Sequence, residues 1–117
     1  MTPAAAQLLI NRGMADPDAA RAFLKPDLTQ LHDPACLPEF GQAAERIHRA
    51  VEAREPIVIY GDYDVDGITA TAILLRCLEI AGARPAYYVP DRLEEGYGLN
   101  AEAIRSLARQ GTKLIVT

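Results

Sequence analysis

Apolar residues concentrate in three short runs, at residues 57–60, 84–90 and 113–117. Between these runs, apolar residues recur at the three-to-four-residue spacing of a helix, over residues 68–81 and 100–111. Strands that alternate with helices through short loops predict right-handed βαβ units with parallel strands. The second half of the chain therefore predicts an α/β fold, the first βαβαβ part of a parallel, doubly wound sheet.

The first part of the chain predicts helices without strands. Apolar spacing together with start and stop signals predicts helices over residues 3–12, 17–25 and 38–54. The last of these has an apolar face, made of Phe40, Ala43, Ala44, Ile47 and Val51. Residues 26–38 predict an ordered connector with inward-packing leucines, namely Leu28, Leu31 and Leu37. We predict an N-terminal helical segment over residues 1–55, followed by the sheet domain over residues 56–117.

Composition limits the classes of function. The 117 residues are 50% hydrophobic and 24% charged, as in ordinary globular proteins. The net charge of −4 gives no basic surface of the kind that autonomous nucleic-acid binders have, so bound metals or other parts of the protein would have to supply positive charge. No apolar run reaches the ~18 residues of a membrane span, and we expect neither a signal peptide nor a membrane partner.

The two cysteines point to a reducing compartment. Cys36 and Cys77 do not have the spacing of metal ligands, and we expect a cytoplasmic protein. Cys77 falls within the predicted helix at residues 68–81, where free cysteine usually packs as a small hydrophobic side chain. We therefore predict a buried thiol at Cys77.

Three carboxylates at alternate positions, Asp62, Asp64 and Asp66, follow the first predicted strand. Ligand sites in open α/β sheets lie at the carboxyl ends of strands. Carboxylates this close repel one another, and the arrangement indicates a bound cation, because Mg²⁺ and Mn²⁺ take oxygen ligands. We expect Gly67 to turn the chain into the next helix. A second loop, residues 91–99, should leave the same end of the sheet.

The acidic segment has three alternative interpretations. An EF-hand calcium loop would need a glutamate where Ile73 stands. A haloacid-dehalogenase-like phosphatase would use Asp64 as nucleophile and Asp66 as acid and base, but it explains neither Asp62 nor the long N-terminal helical segment. Helix capping alone needs a single carboxylate, and here there are three.

The strongest interpretation is a resemblance to a known family. Gly61-Asp-Tyr-Asp-Val-Asp-Gly-Ile-Thr-Ala-Thr71 resembles the first motif of the DHH phosphoesterase superfamily. Val89-Pro-Asp-Arg-Leu-Glu-Glu-Gly-Tyr-Gly-Leu-Asn100 resembles the segment that follows in the RecJ family of single-stranded-DNA-specific exonucleases, and it favours that family over DHH relatives with small substrates. Shorter segments extend the resemblance over the whole chain, in order: Leu9-Ile-Asn-Arg-Gly13, Ala22-Phe-Leu-Lys-Pro26 and Leu31-His-Asp-Pro34.

The resemblance implies a 5′→3′ single-stranded-DNA exonuclease of DNA repair and recombination. Two divalent metal ions, Mn²⁺ or Mg²⁺, would serve hydrolysis of the phosphodiester bond. Asp64 and Asp66 match the metal-binding catalytic pair, with Asp62 as a further or supporting ligand. The implied partners are the 5′ end of single-stranded DNA, single-strand-binding protein and a helicase.

Further residues become candidates for contacts with the substrate. We expect phosphate contacts from Arg92, Thr69 and Gly67, with Thr69 in the first turn of the helix. The alternative for Arg92 is an ion pair with Glu94 or Glu95. Tyr97 could stack on a base, and its alternative is core packing.

The Asp-His-His cluster that gives the superfamily its name does not occur in this sequence. We therefore expect an N-terminal fragment that ends before the second catalytic motif and is inactive by itself. A non-catalytic cation-binding remnant is the alternative.

Overall fold

A three-stranded parallel sheet lies at the centre of the second half of the chain. The structure, a computed structural model, describes all 117 residues. Its strands are β1 (Ile57–Tyr60), β2 (Ala86–Tyr88) and β3 (Leu114–Val116). Its helices are α1 (Pro3–Asn11), α2 (Pro17–Leu24), α3 (Phe40–Glu52), α4 (Val65–Ile80) and α5 (Ala101–Arg109). The strand order is β2-β1-β3 with both pairs parallel, so the predicted α/β fold is confirmed and β2 and β3 are edge strands.

The side chains of β1 alternate between two apolar clusters, one on each face of the sheet. One cluster joins β1 to α3 and α4, through Ile57, Ile59, Ala50 and Leu78. The other joins β1 to α5, through Val58, Tyr60, Ala103 and Leu107. Burying a large aliphatic side chain contributes about 1.5–3 kcal/mol, so these clusters hold the helices against the sheet. The sheet is thus covered by helices on both faces, as in a doubly wound fold.

Residues 1–38 form a separate compact unit. Thr2 and Asp16 cap α1 and α2, and the buried hydrophobic residues of this unit are Leu9 and Ala20. The prediction of inward-packing leucines is wrong, since all three leucines of residues 26–38 are exposed, Leu28 by 83%. Two short 3₁₀ turns, each capped by an aspartate, set the backbone there. A unit of this size has too little interior to cover three more leucines.

Helix α3 belongs to the second compact unit, Glu39–Thr117. It begins two residues later than predicted because Glu39 adopts a left-handed conformation with φ 59°. Its buried residue is Ala50, with Ile47 and Val51 packed beside it, whereas Ala43 and Ala44 are exposed. The compact units therefore divide at residue 38, and the domain boundary at residue 55 stays a prediction.

Helix α4 begins at Val65, three residues before the predicted start, because Asp64 caps it. The prediction of a buried thiol at Cys77 is wrong, because Cys77 is exposed. Ile73 and Ile80 are exposed as well, so α4 is covered less completely than its apolar sequence predicts. None of the helices combines the length and the apolar character needed to cross a membrane.

Candidate active site

The acidic segment follows β1 directly, and two of its carboxylates bind its own backbone. Asp62 Oδ1 accepts a hydrogen bond from the Tyr63 N–H at 2.7 Å. Asp64 Oδ1 accepts one from the Gly67 N–H at 2.8 Å and so caps α4. Asp66 lies exposed in the first turn of α4, where the positive end of the helix dipole favours a carboxylate. The segment is therefore held in shape before any cation binds.

Gly67 packs closely against two aspartates of the segment. A Cβ atom on Gly67 would lie 2.5 Å from Asp62 Cβ and 2.9 Å from both Asp62 O and Asp64 Oδ1. Gly67 lies inside α4, and its φ is not positive, so it does not turn the chain as predicted. The absence of a side chain is required here for close approach to Asp62 and Asp64.

The threonines of α4 are occupied within the helix. Thr69 Oγ1 donates to the carbonyl oxygens of Val65 at 2.8 Å and Asp66 at 3.1 Å. Thr71 is buried and donates to the carbonyl oxygen of Gly67 at 2.8 Å. Because α4 begins earlier than predicted, Thr69 lies beyond its first turn, and the predicted position of a first-turn phosphate contact is wrong for it.

Residues 91–99 lie beside the acidic segment, as predicted for two loops at the same end of a parallel sheet. Arg92 Cζ is 5.3 Å from the centroid of the Tyr63 ring, a cation–π distance. Tyr97 packs edge-on against Tyr63, with 6.3 Å between ring centroids. Tyr97 is 79% exposed, so its interpretation as a core residue is wrong.

The ion pair considered for Arg92 is not formed. Arg92 takes part in none of the salt bridges of the structure. Glu95 instead accepts hydrogen bonds from the Tyr88 hydroxyl and from the Asp91 N–H. The guanidinium of Arg92 thus keeps its donors free for an anion next to the acidic segment.

Two tyrosines that sequence reasoning missed hold this second loop. The Tyr60 hydroxyl donates to the Gly98 carbonyl at 3.4 Å and accepts from the Asn100 N–H at 3.1 Å. The Tyr88 hydroxyl donates to the carboxylate of Glu95. The sequence could have indicated this role, because each tyrosine is the last residue of a strand that leads into the predicted site.

The hydrogen bond to Glu95 raises the pKa of Tyr88 to about 12 from its ordinary value of 10.0. Burial and the charges of Glu95, Tyr60 and Asp91 are smaller contributions to this rise of the pKa. Since the folded pKa exceeds the unfolded one, the stabilisation is fully present below pH 10.0 and is lost as the pH rises towards about 12. We expect the free energy of unfolding of the wild type to exceed that of Tyr88→Phe below this window, and the difference to shrink across it.

Urea unfolding of both proteins at a series of pH values measures that difference. The four other tyrosines titrate in both proteins, so their effect on the free energy of unfolding cancels in the difference. A difference that stays constant across the window would show that the Tyr88 hydroxyl is not bound to Glu95 in solution.

A cavity of about 410 Å³ opens at the carboxyl end of β1. Its lining includes Asp62, Gly67, Tyr97 and Thr117, whereas Asp64, Asp66 and Arg92 lie outside the lining. A larger cavity, of about 560 Å³, lies near Pro56 at the amino end of β1 and is lined by none of the three aspartates of the acidic segment. Ligand sites of parallel sheets lie at the carboxyl ends of strands, so the smaller cavity is the candidate active site.

The carboxylates are of the ligand type that divalent metals prefer, but they do not form a complete ligand set. No three His, Cys, Asp or Glu side chains of the structure are grouped so that they could hold a metal ion. Asp62, Asp64 and Asp66 are therefore not brought together around one point. Asp66 is exposed, and Asp64 keeps its second oxygen free of the capping bond, so both offer the oxygen donors that Mn²⁺ and Mg²⁺ prefer.

This parallel sheet, with an acidic segment at the end of its central strand, is the N-terminal part of a phosphoesterase domain. Residues 56–117 match the model of the DHH family, N-terminal domain, and the chain belongs to that family. The family is one of hydrolases, and the predicted membership of the family is confirmed. The EF-hand and haloacid-dehalogenase interpretations are thereby set aside.

Within the family, the chain is similar to RecJ exonucleases. It is 42% identical over all 117 residues to the single-stranded-DNA-specific exonuclease RecJ of Bacillus subtilis (strain 168), of which it covers 15%. It is 42% identical over 98 residues, 75% of the chain, to RecJ of Thermus thermophilus, of which it covers 14%. The chain thus spans about 15% of the length of the curated relatives it matches.

The chain is also similar to two solved structures of RecJ exonucleases. The crystal structure of an exonuclease RecJ bound to manganese has a TM-score of 0.59 and 39% identity, and the match covers 63% of this chain and 19% of that one. The crystal structure of RecJ from Thermus thermophilus in complex with Mn²⁺ has a TM-score of 0.58 and 29% identity, over 97% of this chain and 18% of that one.

Proposed function

We propose that this chain carries the first acidic motif of a metal-dependent 5′→3′ exonuclease specific for single-stranded DNA. The observation that carries the proposal is the acidic segment at the end of β1, with Arg92 beside it, in a chain similar to RecJ over its whole length. Roles in DNA repair and recombination, a cytoplasmic location, and single-strand-binding protein and helicase partners belong to the same proposal. Those further parts are supported by the family resemblance alone.

In this proposal Asp64 and Asp66 hold two divalent metal ions, Mn²⁺ or Mg²⁺, together with ligands from other groups. Bound metals of this kind lower the pKa of water and stabilise the charge that develops on phosphate during hydrolysis. The hydrogen bond from the Gly67 N–H orients the Asp64 carboxylate, and Asp62 binds the Tyr63 N–H immediately before Asp64. The capped Asp64, with one oxygen free, and the exposed Asp66 are this chain's contribution to the reaction.

Arg92 contacts a phosphate of the DNA, because its fork of donors is free and lies next to the acidic segment. Tyr97 offers an exposed ring on which a base can stack. Thr69 has no part in this contact, since its hydroxyl is bound within α4. Gly67 contributes space rather than a contact.

Replacing Arg92 by alanine should weaken the binding of 5′-phosphorylated single-stranded DNA about 10- to 100-fold, the loss of one charge-assisted interaction of about 1.5–3 kcal/mol. Arg84→Ala is the matched control, since Arg84 is also free of salt bridges but lines the cavity at the amino end of β1. Fluorescence anisotropy of labelled oligonucleotides measures both variants. Equal affinities of the two variants for the DNA would show that Arg92 does not contact a phosphate.

The function itself is tested with protein expressed from the complete reading frame of the gene. We expect release of mononucleotides from single-stranded DNA labelled at its 5′ end, loss of activity with a chelator, and recovery with Mn²⁺ or Mg²⁺. Release first from the 3′ end, or activity that survives chelation, would contradict the proposal. The 117-residue chain alone is expected to be inactive, because its carboxylates do not form a complete metal-ligand set.

A further inference from the structure

We propose that Tyr60 and Tyr88 are positioning residues for the loop formed by residues 91–99: the Tyr60 hydroxyl binds its far end, and the Tyr88 hydroxyl binds Glu95, whose carboxylate in turn holds the near end. The loop would thereby carry Arg92 and Tyr97 at a fixed place beside the acidic segment. The anchoring itself is inferred from hydrogen bonds of the structure, whereas its effect on DNA binding rests on the proposed function.

Tyr60 anchors the far end of the loop. Its ring is fixed in the apolar cluster under α5, and the residue is only 5% exposed. Its hydroxyl binds the Gly98 carbonyl and the Asn100 N–H, and Asn100 is the N-cap of α5. A buried side chain of the central strand thus holds the point where the loop passes into the helix.

Tyr88 anchors the near end of the loop indirectly, through Glu95. It lies directly opposite Tyr60 in the parallel register, and the two rings have centroids 5.1 Å apart. Its hydroxyl binds one oxygen of Glu95, and the other oxygen accepts from the Asp91 N–H at 2.8 Å. Asp91 in turn accepts from the Leu93 N–H at 2.8 Å, which closes the first turn of the loop.

The candidate substrate residues stand next to these anchored points. Arg92 follows Asp91, and Tyr97 precedes Gly98. Gly96 and Gly98 have φ values of 77° and 82°, in a region that glycine enters readily. A loop with such residues and no regular secondary structure has many conformations open to it, so its two tethers decide where Arg92 and Tyr97 lie.

The test compares Tyr60→Phe and Tyr88→Phe with Tyr87→Phe, in protein from the complete reading frame. Tyr87 is 65% exposed and lies on the neighbouring position of β2, which makes its substitution a matched control. We expect amide hydrogen exchange in residues 91–100 to accelerate about 3- to 10-fold in the first two variants, the effect of one net hydrogen bond. The KM for single-stranded DNA should rise by a similar factor, while kcat stays within about twofold.

Glu95→Ala provides an independent check on the Tyr88 tether. Glu95→Ala removes the bond from the Tyr88 hydroxyl together with the bond from the Asp91 N–H, so adding Tyr88→Phe to Glu95→Ala should accelerate loop exchange no further. Additive effects of the two substitutions would overturn the coupling between Tyr88 and Glu95.

The outcomes separate this inference from the proposed function. Unchanged exchange in the loop, or acceleration spread evenly over the whole sheet, would overturn the tether. Faster loop exchange with unchanged KM would overturn the positioning role. Absence of exonuclease activity in the unsubstituted protein would refute the proposed function instead, and exchange would still decide whether the tethers exist.

Discussion

Replacing Asp64 by asparagine is expected to lower exonuclease activity by more than about 100-fold while α4 stays intact. Asparagine caps a helix about as well as aspartate does, so the hydrogen bond from the Gly67 N–H survives the change. The change removes the negative charge and one of the oxygen donors on which metal binding depends. Loss of a residue that only supports a metal ligand already costs about 10- to 100-fold, and loss of a ligand should cost more.

The control for this prediction is the same substitution at another capped helix. Asp16 caps α2 through a 2.8 Å bond to the Ala19 N–H, in the N-terminal unit. Asp16→Asn should leave activity unchanged, and both variants should keep nearly the stability of the wild type. Activity and Mn²⁺ affinity, measured by isothermal titration, are the readouts. An Asp64→Asn protein that retains wild-type activity would exclude Asp64 as a metal ligand.

Replacing Gly67 by alanine is expected to lower both stability and activity. Glycine inside a helix is ordinarily worse than alanine by about 0.5–1 kcal/mol, so propensity alone predicts a more stable protein. The added Cβ would lie 2.5 Å from Asp62 Cβ and 2.9 Å from a backbone oxygen, closer than such atoms can approach. Overpacking of this kind costs about 1–3 kcal/mol, so the clash decides the sign. The displaced Asp62 and Asp64 should also lose metal affinity, with activity falling more than about tenfold.

Gly41 supplies the matched control for Gly67→Ala. It lies in α3, and a Cβ atom there would meet nothing within 4 Å. Gly41→Ala should therefore stabilise the protein by up to about 1 kcal/mol and leave activity unchanged. Thermal and urea unfolding measure the two variants side by side. A Gly67→Ala protein as stable as Gly41→Ala would show that the acidic segment is not packed as described.

The strand at the centre of the fold could be predicted to the residue, whereas the start of α4 could not. Residues 57–60 are apolar between Pro56 and Gly61, and no competing element shares that pattern. The start of α4 depended on which of three similar aspartates accepts the capping bond. The backbone conformation determines which aspartate is the N-cap, and the sequence does not show it. Because the prediction assigned all three aspartates to a loop, it placed the start of α4 too late.

The candidate site was predictable where it lies in one motif and was missed where it depends on distant contacts. Asp64 and Asp66 follow from the motif after β1. The roles of Tyr60 and Tyr88 depend on strand register and on bonds between residues up to 40 positions apart, as from Tyr60 to Asn100. The exposure of Tyr97 likewise follows from the path of its loop, which composition does not specify.

The strand order β2-β1-β3 has a consequence for handling the chain in solution. The outer rims of β2 and β3 present backbone donors and acceptors that no neighbouring strand occupies. On β3 these accompany three consecutive aliphatic residues, Leu114, Ile115 and Val116. Such an edge can template pairing with another chain. Pro85 directly precedes β2, whereas the three residues of β3 include no charged residue and no proline, so β3 is the more exposed of the two edges to such pairing. Preparations of the 117-residue chain should therefore aggregate as their concentration rises, with β-sheet content increasing as they do.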